Sequence, residues 1–333
     1  MLIKPFPKVE GIHAVVLPLP GDIDLITVNY FIVGRGPLTL IDTGPKFPGS
    51  VEITQRHLEP LGFGISDIDR IIITHGHLDH FGQAVSIREA AGHPVECIIH
   101  ADDKWRVSSE DYHEDSWSTE ADNFMAMVDM PPKGIEKVKK RFAYFKELSD
   151  PLDEVSTMED KDELIGDDHH FRVIHTPGHS PGTVCIYESQ RKVLFSGDHI
   201  IKHITPNPMI EMRRDRLRNP NYQSLGAFIH SLDKLTELDV RFVFPGHGEC
   251  IENLQGILSS YILHHRQRMD MVWEALKKRS RPIYHLMNDV FPSVPENDVF
   301  FAVSEILVHL EMLIAEGRAE IIDQGPPVLY QAL

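Results

Sequence analysis

Cysteine is scarce in this sequence, and long apolar runs are missing from it. The three cysteines, Cys97, Cys185 and Cys250, are isolated, and the 333 residues contain no C-x-x-C pair. This excludes a disulfide framework and a cysteine-rich zinc module, and it predicts buried, reduced thiols. No stretch approaches the roughly 20 apolar residues of a membrane-spanning helix, which excludes a membrane protein of that class.

Three further signals are absent or weak. Residues 1–7 contain no apolar core of a secretory signal peptide, so we expect a cytoplasmic protein. No G-x-S-x-G elbow occurs, which disfavours the serine hydrolases that carry it. Positive charge is in deficit, with 33 lysines and arginines against 50 acidic residues and a net charge of −17. A nucleic-acid partner is therefore disfavoured, because phosphate binding depends on a basic surface.

The sequence is rich, however, in side chains that bind metals. The apolar run Ile71–Ile73 predicts a buried strand, and Thr74-His75-Gly76-His77-Leu78-Asp79-His80 follows it directly. Imidazole nitrogens and carboxylate oxygens are ligands for zinc, manganese and ferrous iron. Four such groups crowd onto one tight loop at a strand end. We therefore predict a metal site here rather than a solvated histidine-rich loop.

Three later strand-like runs end in a similar way. Each leads within a few residues to one ligand in a glycine-containing turn: Phe171–Ile174 to His179, Val193–Phe195 to Asp198, and Val240–Phe244 to His247. A single histidine near a glycine is usually a turn residue or a hydrogen-bonded core residue. Four strand ends with the same chemistry instead predict sheets whose ends meet at one edge and share one site.

This ordered pattern resembles the metallo-β-lactamase-fold hydrolases, over residues 9 to about 262. The H-x-H-x-D-H signature of that family stands at residues 75–80, and its later ligands match the three strand-end residues named above. The resemblance implies a first metal held by His75, His77 and His179, a second held by Asp79, His80 and His247, and a bridge through Asp198.

Two neighbouring polar residues have other expected roles. Asp42, in Leu40-Ile41-Asp42-Thr43-Gly44, matches the structural aspartate of the family and would orient ligands without binding metal. A simple turn before Gly44 is the alternative. His199, beside Asp198, is expected to be a supporting or surface histidine rather than a ligand.

The resemblance implies a binuclear hydrolase that uses metal-activated water. Two divalent ions, zinc first with iron or manganese as alternatives, would lie about 3.5–4 Å apart. Their metal-bridging hydroxide would attack a small ester or thioester carbonyl in glyoxalase II-like chemistry, with Asp79 and Asp198 as catalytic groups. The chain lacks the C-terminal helical domain of glyoxalase II, so the substrate does not carry over.

Neighbouring families fit this pattern less well. Flavodiiron proteins have a carboxylate where this chain has His77, and the commonest zinc β-lactamases have a cysteine where it has Asp198. Mononuclear iron persulfide dioxygenases share the first motif but hold fewer metals. A single-strand endoribonuclease that cleaves phosphodiesters with the same metal site is the alternative function. A non-catalytic or redox metal protein is disfavoured by the complete set of seven ligands.

The predicted fold class is α/β, an αβ/βα sandwich with a helical cap insertion and a C-terminal winged-helix-like domain. The catalytic domain is predicted over residues 1–262 and the insertion over 102–168. Aromatic and methionine residues recur there at helical spacing, including Trp105, Trp117, Phe124 and Met125, and residues 101–170 hold 20 acidic against 9 basic residues. We expect most of this apolar stripe to be core and some of it to line a substrate pocket.

Residues 263–333 form the predicted C-terminal domain. Helices over Glu252–Arg279 and Asp298–Glu316, followed by a two-stranded wing, resemble a subgroup that includes the RNA-cutting β-lactamase-like protein 2 type. Residues 270–333 hold 5 basic and 10 acidic residues, a net charge of −5. We therefore predict packing, homodimer formation or pocket closure rather than nucleic-acid binding. The basic cluster Arg213, Arg214, Arg216 and Arg218 is either an anion contact for the substrate or a surface loop.

Overall fold

The computed structural model describes residues 4–19, 27–109 and 119–333. Its first sheet contains β1 (Ile12–Pro18), β2 (Thr27–Val33), β3 (Leu38–Ile41), β4 (Ile68–Ile73), β5 (Glu96–His100) and β6 (Ser156–Met158). Its second sheet contains β7 (Glu163–Ile165), β8 (His170–His175), β9 (Val184–Glu188), β10 (Val193–Gly197) and β11 (Phe242–Pro245). A third, two-stranded sheet pairs β12 (Ala319–Asp323) with β13 (Leu329–Ala332). Within each sheet the strands lie side by side in the same order as in the chain.

The α-helices lie outside the two large sheets. They are α1 (Ser50–Leu58), α2 (Leu78–Phe81), α3 (Ala84–Ala91), α4 (Lys104–Val107), α5 (Thr119–Met127), α6 (Pro132–Lys146), α7 (Ser224–Leu235), α8 (Leu254–Lys278), α9 (Ile283–Val290) and α10 (Val299–Ala315). In the described part of the chain, no helix is both long and apolar enough to span a membrane. The three cysteines are free thiols, two of them buried and Cys250 half-buried.

The isoleucine run of β4 shows how the layers are built. Successive side chains of a strand point to opposite faces of the sheet. Ile71 and Ile73 share an outer cluster with Leu58 of α1 and Ile87 of α3. Ile72 belongs instead to the cluster between the two sheets, together with Phe171 of β8. The alternation therefore places helices on one face of the sheet and the second sheet on the other.

The second sheet is covered in the same way on its own outer face. Cys185 and Leu194 of this sheet share a buried cluster with Phe228 of α7 and Leu258 of α8. Each sheet thus has one face against the other sheet and one against helices, since an exposed apolar face would be unstable. The layers are those of the predicted αβ/βα sandwich.

The region between β5 and β8 is helical only in part, which corrects the predicted cap insertion over residues 102–168. The strands β6 and β7 lie within it, and they extend the first and second sheets. Each has three residues, which is too short for an alternating pattern to be recognised in the sequence. The part that is helical packs as core, because Phe124 and Met125 are buried in one cluster with Leu310 of α10. Trp117 lies outside the described residues.

The C-terminal region follows the predicted order of helices and then two strands. It begins inside α8, a 25-residue helix that contains the predicted boundary at 262 and 263. The first part of α8 packs on the second sheet through Leu258 and Tyr261. Its last part packs on α9 and α10 through Val272 and Leu276. One continuous helix therefore belongs to both parts of the molecule, and the winged-helix assignment stays a prediction.

Candidate metal centre

The strand directions bring the predicted ligands to one edge of the sandwich. β3 and β4 are parallel neighbours, so their carboxyl ends lie side by side. β8 and β10 are both antiparallel to β9, and β11 is parallel to β10, so these three strands also run in one direction. The ligand-bearing segments follow the carboxyl ends of these strands. Asp79 and His80 lie in the short helix α2, although the sequence suggested a loop.

Three histidines form the first group of candidate ligands. His75 Nε2 lies 3.1 Å from His77 Nδ1, which lies 3.0 Å from His179 Nε2. Burial is the largest cause that lowers the pKa of all three imidazoles, and neighbouring histidines act in the same direction, so that the pKa of His77 is about 3. The three rings are therefore neutral near pH 7, which is the form of histidine that binds metals.

Asp79, His80 and His247 form the second group. Asp79 Oδ2 lies 3.4 Å from His247 Nε2 and 4.0 Å from His80 Nε2. One potential ligand atom from each residue lies within 4.8 Å of the other two, as in the first group. Both histidines are buried, whereas the Asp79 side chain is 23% exposed.

Asp198 links the two groups. Its Oδ1 lies 3.3 Å from His80 Nε2, and its Oδ2 lies 3.2 Å from His247 Nε2. The same Oδ2 is 3.5 Å from His179 Nε2, which belongs to the first group. A single buried carboxylate at the end of β10 thus reaches ligand atoms on both sides.

The electrostatics of the second group favour a cation. Burial lowers the pKa of His80, but Asp198 and Asp42 outweigh it and hold that pKa well above its usual range. Burial likewise opposes a proton on His247, yet Asp198 and Asp79 raise its pKa to about 10. Burial raises the pKa of Asp79, but His80 and His247 bring it down to about 2. The ionised carboxylates that favour a proton here favour a metal ion for the same reason.

Asp42 fixes the orientation of His80 from outside the centre. Its Oδ2 lies 2.8 Å from His80 Nδ1, so the opposite ring nitrogen faces the centre. The same carboxylate accepts hydrogen bonds from Thr74 N and Thr74 Oγ1, both at 2.8 Å. Asp42 has a φ of 61°, which an ordinary residue adopts only when its surroundings hold it there. These contacts favour the orienting role over a simple turn.

Backbone carbonyl groups orient two other histidines. His179 Nδ1 donates to Asn207 O at 3.0 Å, and His247 Nδ1 donates to Thr27 O at 2.7 Å. In each case Nδ1 holds its proton toward the backbone, and Nε2 is the ring nitrogen turned toward the other ligand groups. His199 has a different position, because it is fully buried and its ring packs 4.9 Å from the ring of Phe228. This excludes the surface alternative for His199.

A further cluster of possible ligands lies outside these groups. It comprises His100, Asp102 and His175. The two imidazole rings stack, with centroids 3.8 Å apart and planes inclined by 16°. The lone pair of each nitrogen lies in its ring plane, so one ion cannot lie in two stacked planes at a normal bond length. His175 Nε2 also donates to Pro181 O at 2.8 Å. The cluster is therefore poorly shaped for a metal.

The basic segment that follows Asp198 is neutralised within the molecule. Arg213 and Arg216 pair with Asp215, Arg214 pairs with Glu311, and Arg218 pairs with Asp102 and Glu159. These ion pairs occupy the guanidinium groups for which a contact with an anionic substrate was one of two predicted roles. A second charged network is formed by Asp103, Arg106 and Glu211, and it carries no signal in the sequence, because only the fold brings these residues together.

The fold and the centre match a known family. The model of the Metallo-beta-lactamase superfamily matches residues 23–247, and the chain belongs to that superfamily. Membership confirms the predicted family and, apart from the winged-helix-like domain, the predicted fold class, and it makes the protein a metal-dependent hydrolase.

Several relatives share nearly the whole chain. The probable metallo-hydrolase YqjP of Bacillus subtilis is 24% identical over 97% of this chain and 98% of its own length. The beta-lactamase-like protein 2 homolog of Drosophila melanogaster is also 24% identical, over 93% of this chain and 90% of its own. A metallo-beta-lactamase family protein from Thermus thermophilus superposes with a TM-score of 0.79 at 26% identity, covering 98% of this chain and 99% of that one.

Proposed function

We propose that the protein is a binuclear hydrolase that cleaves a small ester or thioester with metal-activated water. The observation that carries this proposal is the convergence of two ligand groups that share one carboxylate. His75, His77 and His179 would hold the first ion, Asp79, His80 and His247 the second, and Asp198 both.

The chemistry of the donors supports this assignment. Three buried atoms in the centre, His80 Nε2, His247 Nε2 and Asp198 Oδ1, make no regular hydrogen bond. Buried polar groups normally find a partner, so these atoms fit a cation that satisfies all of them. The set contains only imidazole nitrogen and carboxylate oxygen, which suits zinc first and also iron or manganese.

Water is the proposed nucleophile. When bound, two divalent ions supply an acidified water and a Lewis acid for the carbonyl oxygen. The three thiols pack in or against the apolar clusters of the sandwich, and burial raises the pKa of each of them. They are poor nucleophiles as a result. Asp79, whose side chain is 23% exposed against 6% for Asp198, is the carboxylate assigned to orient the attacking water.

The charge around the centre supports a small ester or thioester over a nucleic acid. The basic segment that follows Asp198 is paired with carboxylates of the same chain, and the whole chain carries a net charge of −17. An RNA strand needs cations along its backbone, whereas a neutral ester or an ester with one anionic tail does not. The endoribonuclease alternative remains as a competing outcome of the experiment.

The test is hydrolysis by protein of known metal content on four probes: an acyl-glutathione, an acyl-coenzyme A, an acyl-homoserine lactone and a single-stranded RNA. We expect turnover of an ester or thioester that is lost with a chelator. Asp198→Asn should remove the second equivalent of metal and lower kcat/KM by at least 100-fold. Asp215→Asn, an exposed aspartate outside the centre, is the matched control and should behave like the wild type.

Two results would contradict the proposal. Cleavage of RNA with no turnover of the three esters would replace it with the nuclease alternative. Full activity and two tightly bound ions in Asp198→Asn would show that the ligand assignment is wrong.

A further inference from the structure

One buried carboxylate outside the ligand groups connects the loops that carry the first group. Asp103 lies three residues beyond the end of β5 and is fully buried. Its Oδ2 accepts hydrogen bonds from Gly76 N at 2.8 Å and from Ser180 Oγ at 2.6 Å. Its Oδ1 accepts one from Gly182 N at 2.9 Å. All three donors belong to the two ligand-bearing loops.

The positions of these donors give the contact its importance. Gly76 stands between His75 and His77, and Ser180 directly follows His179. The two loops are far apart in the chain, and Asp103 ties them together through short bonds. The fit is close on the far side as well, since a Cβ on Gly182 would lie 2.6 Å from Asp103 Cβ. Only glycine allows the backbone to approach the carboxylate this closely.

The carboxylate is held in its ionised form. Burial raises the pKa of Asp103, but Arg106 and the hydrogen bonds from Ser180, Gly76 and Gly182 outweigh it and lower that pKa. Arg106 Nε lies 3.4 Å from Asp103 Oδ1, and the same guanidinium forms an ion pair with Glu211. An ionised carboxylate offers two acceptor oxygens, whereas an amide of the same shape offers only one.

We propose that Asp103 is a positioning residue that holds His75, His77 and His179 in the geometry of the first metal site. This inference rests on the proposed function, because it assumes that these histidines bind a metal. It goes further because it makes the shape of the first site depend on a residue outside the H-x-H-x-D-H motif. The hydrogen bonds of that residue go to the loops that carry the ligands. The second site, built from Asp79, His80 and His247, should not depend on Asp103.

The test is the variant Asp103→Asn, which keeps the shape and removes one acceptor. The amide NH₂ would then face a donor, either Gly76 N with Ser180 Oγ or Gly182 N. We expect one of the two ions to bind 10–100-fold more weakly, the range typical for loss of a group that orients ligands. The other ion should bind as in the wild type. Affinities are measured by zinc titration against a chromophoric chelator, and the site that changes is followed by the absorption spectrum of the cobalt(II) protein.

Two further variants separate positioning from general loosening of the segment. Asp102→Asn makes the same chemical change one residue earlier, at a carboxylate that contacts Arg218 and not the glycine amides. It should bind both ions like the wild type. Ser180→Ala removes a single bond to Asp103 and should weaken one ion by a smaller factor. If Asp103→Asn does not fold, the metal affinity of Ser180→Ala decides whether the proposal holds.

Each outcome bears on the proposal. Selective weakening of one ion in Asp103→Asn or Ser180→Ala, with Asp102→Asn unchanged, supports it. Wild-type affinity for both ions in the folded Asp103→Asn protein, or in Ser180→Ala if the former is unfolded, overturns it. Equal weakening in Asp102→Asn also overturns it. Failure of the proposed function would be visible separately, because the wild-type protein would then not bind two ions.

Discussion

A pair of histidines buried between α8 and α10 should make the stability of the protein fall steeply in mild acid. His309 Nδ1 donates to Glu305 O at 2.6 Å, and its Nε2 lies 3.1 Å from His265 Nδ1. The pKa of His309 is lowered from 6.5 to about 4 and that of His265 to about 3, with burial as the largest cause in both. Arg268 acts in the same direction on both rings, and His309 also lowers the pKa of His265. Glu305 acts in the opposite direction and is outweighed. The pair is neutral in the folded protein at pH 7.

The sign of the effect follows from where the protons bind. Between pH 6.5 and 4 the unfolded chain takes up a proton at His309 and the folded chain does not, so the free energy of unfolding falls as the pH falls. A pH of 5 lies about 1.5 units below the pKa of a histidine in the unfolded chain. At about 1.36 kcal/mol per unit, His309 alone should lower the free energy of unfolding by about 2 kcal/mol between pH 8 and pH 5.

The assay is urea unfolding of the wild type and His309→Gln at several pH values. A glutamine oxygen can still accept from His265 Nδ1, and it does not titrate. We expect the stability difference between wild type and variant to shift by about 2 kcal/mol in favour of the variant between pH 8 and pH 5. Titration of the metal centre is common to both proteins and cancels in this difference. A difference that stays constant over this range would refute the reasoning.

Three other predictions concern the centre and its support. Asp42→Asn should weaken one bound ion by about 10–100-fold, because His80 loses the carboxylate that fixes its ring, and unchanged affinity in a zinc titration would contradict this. Gly178→Ala should lower the free energy of unfolding by about 3 kcal/mol, since φ is 147° and the new Cβ would lie 2.5 Å from Phe228 Cα. Gly49→Ala, where φ is 87° and nothing lies within 4 Å, should cost only about 1 kcal/mol, so equal losses in urea unfolding would refute the steric argument. Chelation should abolish hydrolysis and zinc or manganese should restore it, and activity that survives complete metal removal would contradict a metal-dependent reaction.

The convergence of the candidate ligands was predictable because their signal is local. Each candidate ligand follows a short apolar run by a few residues, and strand direction then determines where they meet. The boundaries were less accurate. β4 begins at Ile68 rather than Ile71, and the loop expected at Asp79 and His80 is the short helix α2, which α3 follows. The apolar face of α3 is the part that shows helical spacing, whereas α2 is too short to show any.

Asp103 and the histidine pair were not predictable, because their roles exist only in the folded chain. Asp103 is one acid among 50, and its amide partners lie 27 and 79 residues away. His265 and His309 are 44 residues apart on different helices. No spacing rule in a single sequence connects such residues, whereas an H-x-H-x-D-H signature carries its own spacing.

The continuity of α8 limits how this protein can be recombined with its relatives. A chimera joined at residue 262 would divide the helix between Tyr261, which packs on the second sheet, and Val272, which packs on the C-terminal helices. The new junction would have to restore two interfaces in the same helical register, and each residue of error turns the distal face by about 100°. Exchange of C-terminal regions should therefore succeed when the crossover lies before Leu254 or after Lys278, and libraries that cut within the helix should be depleted of folded members.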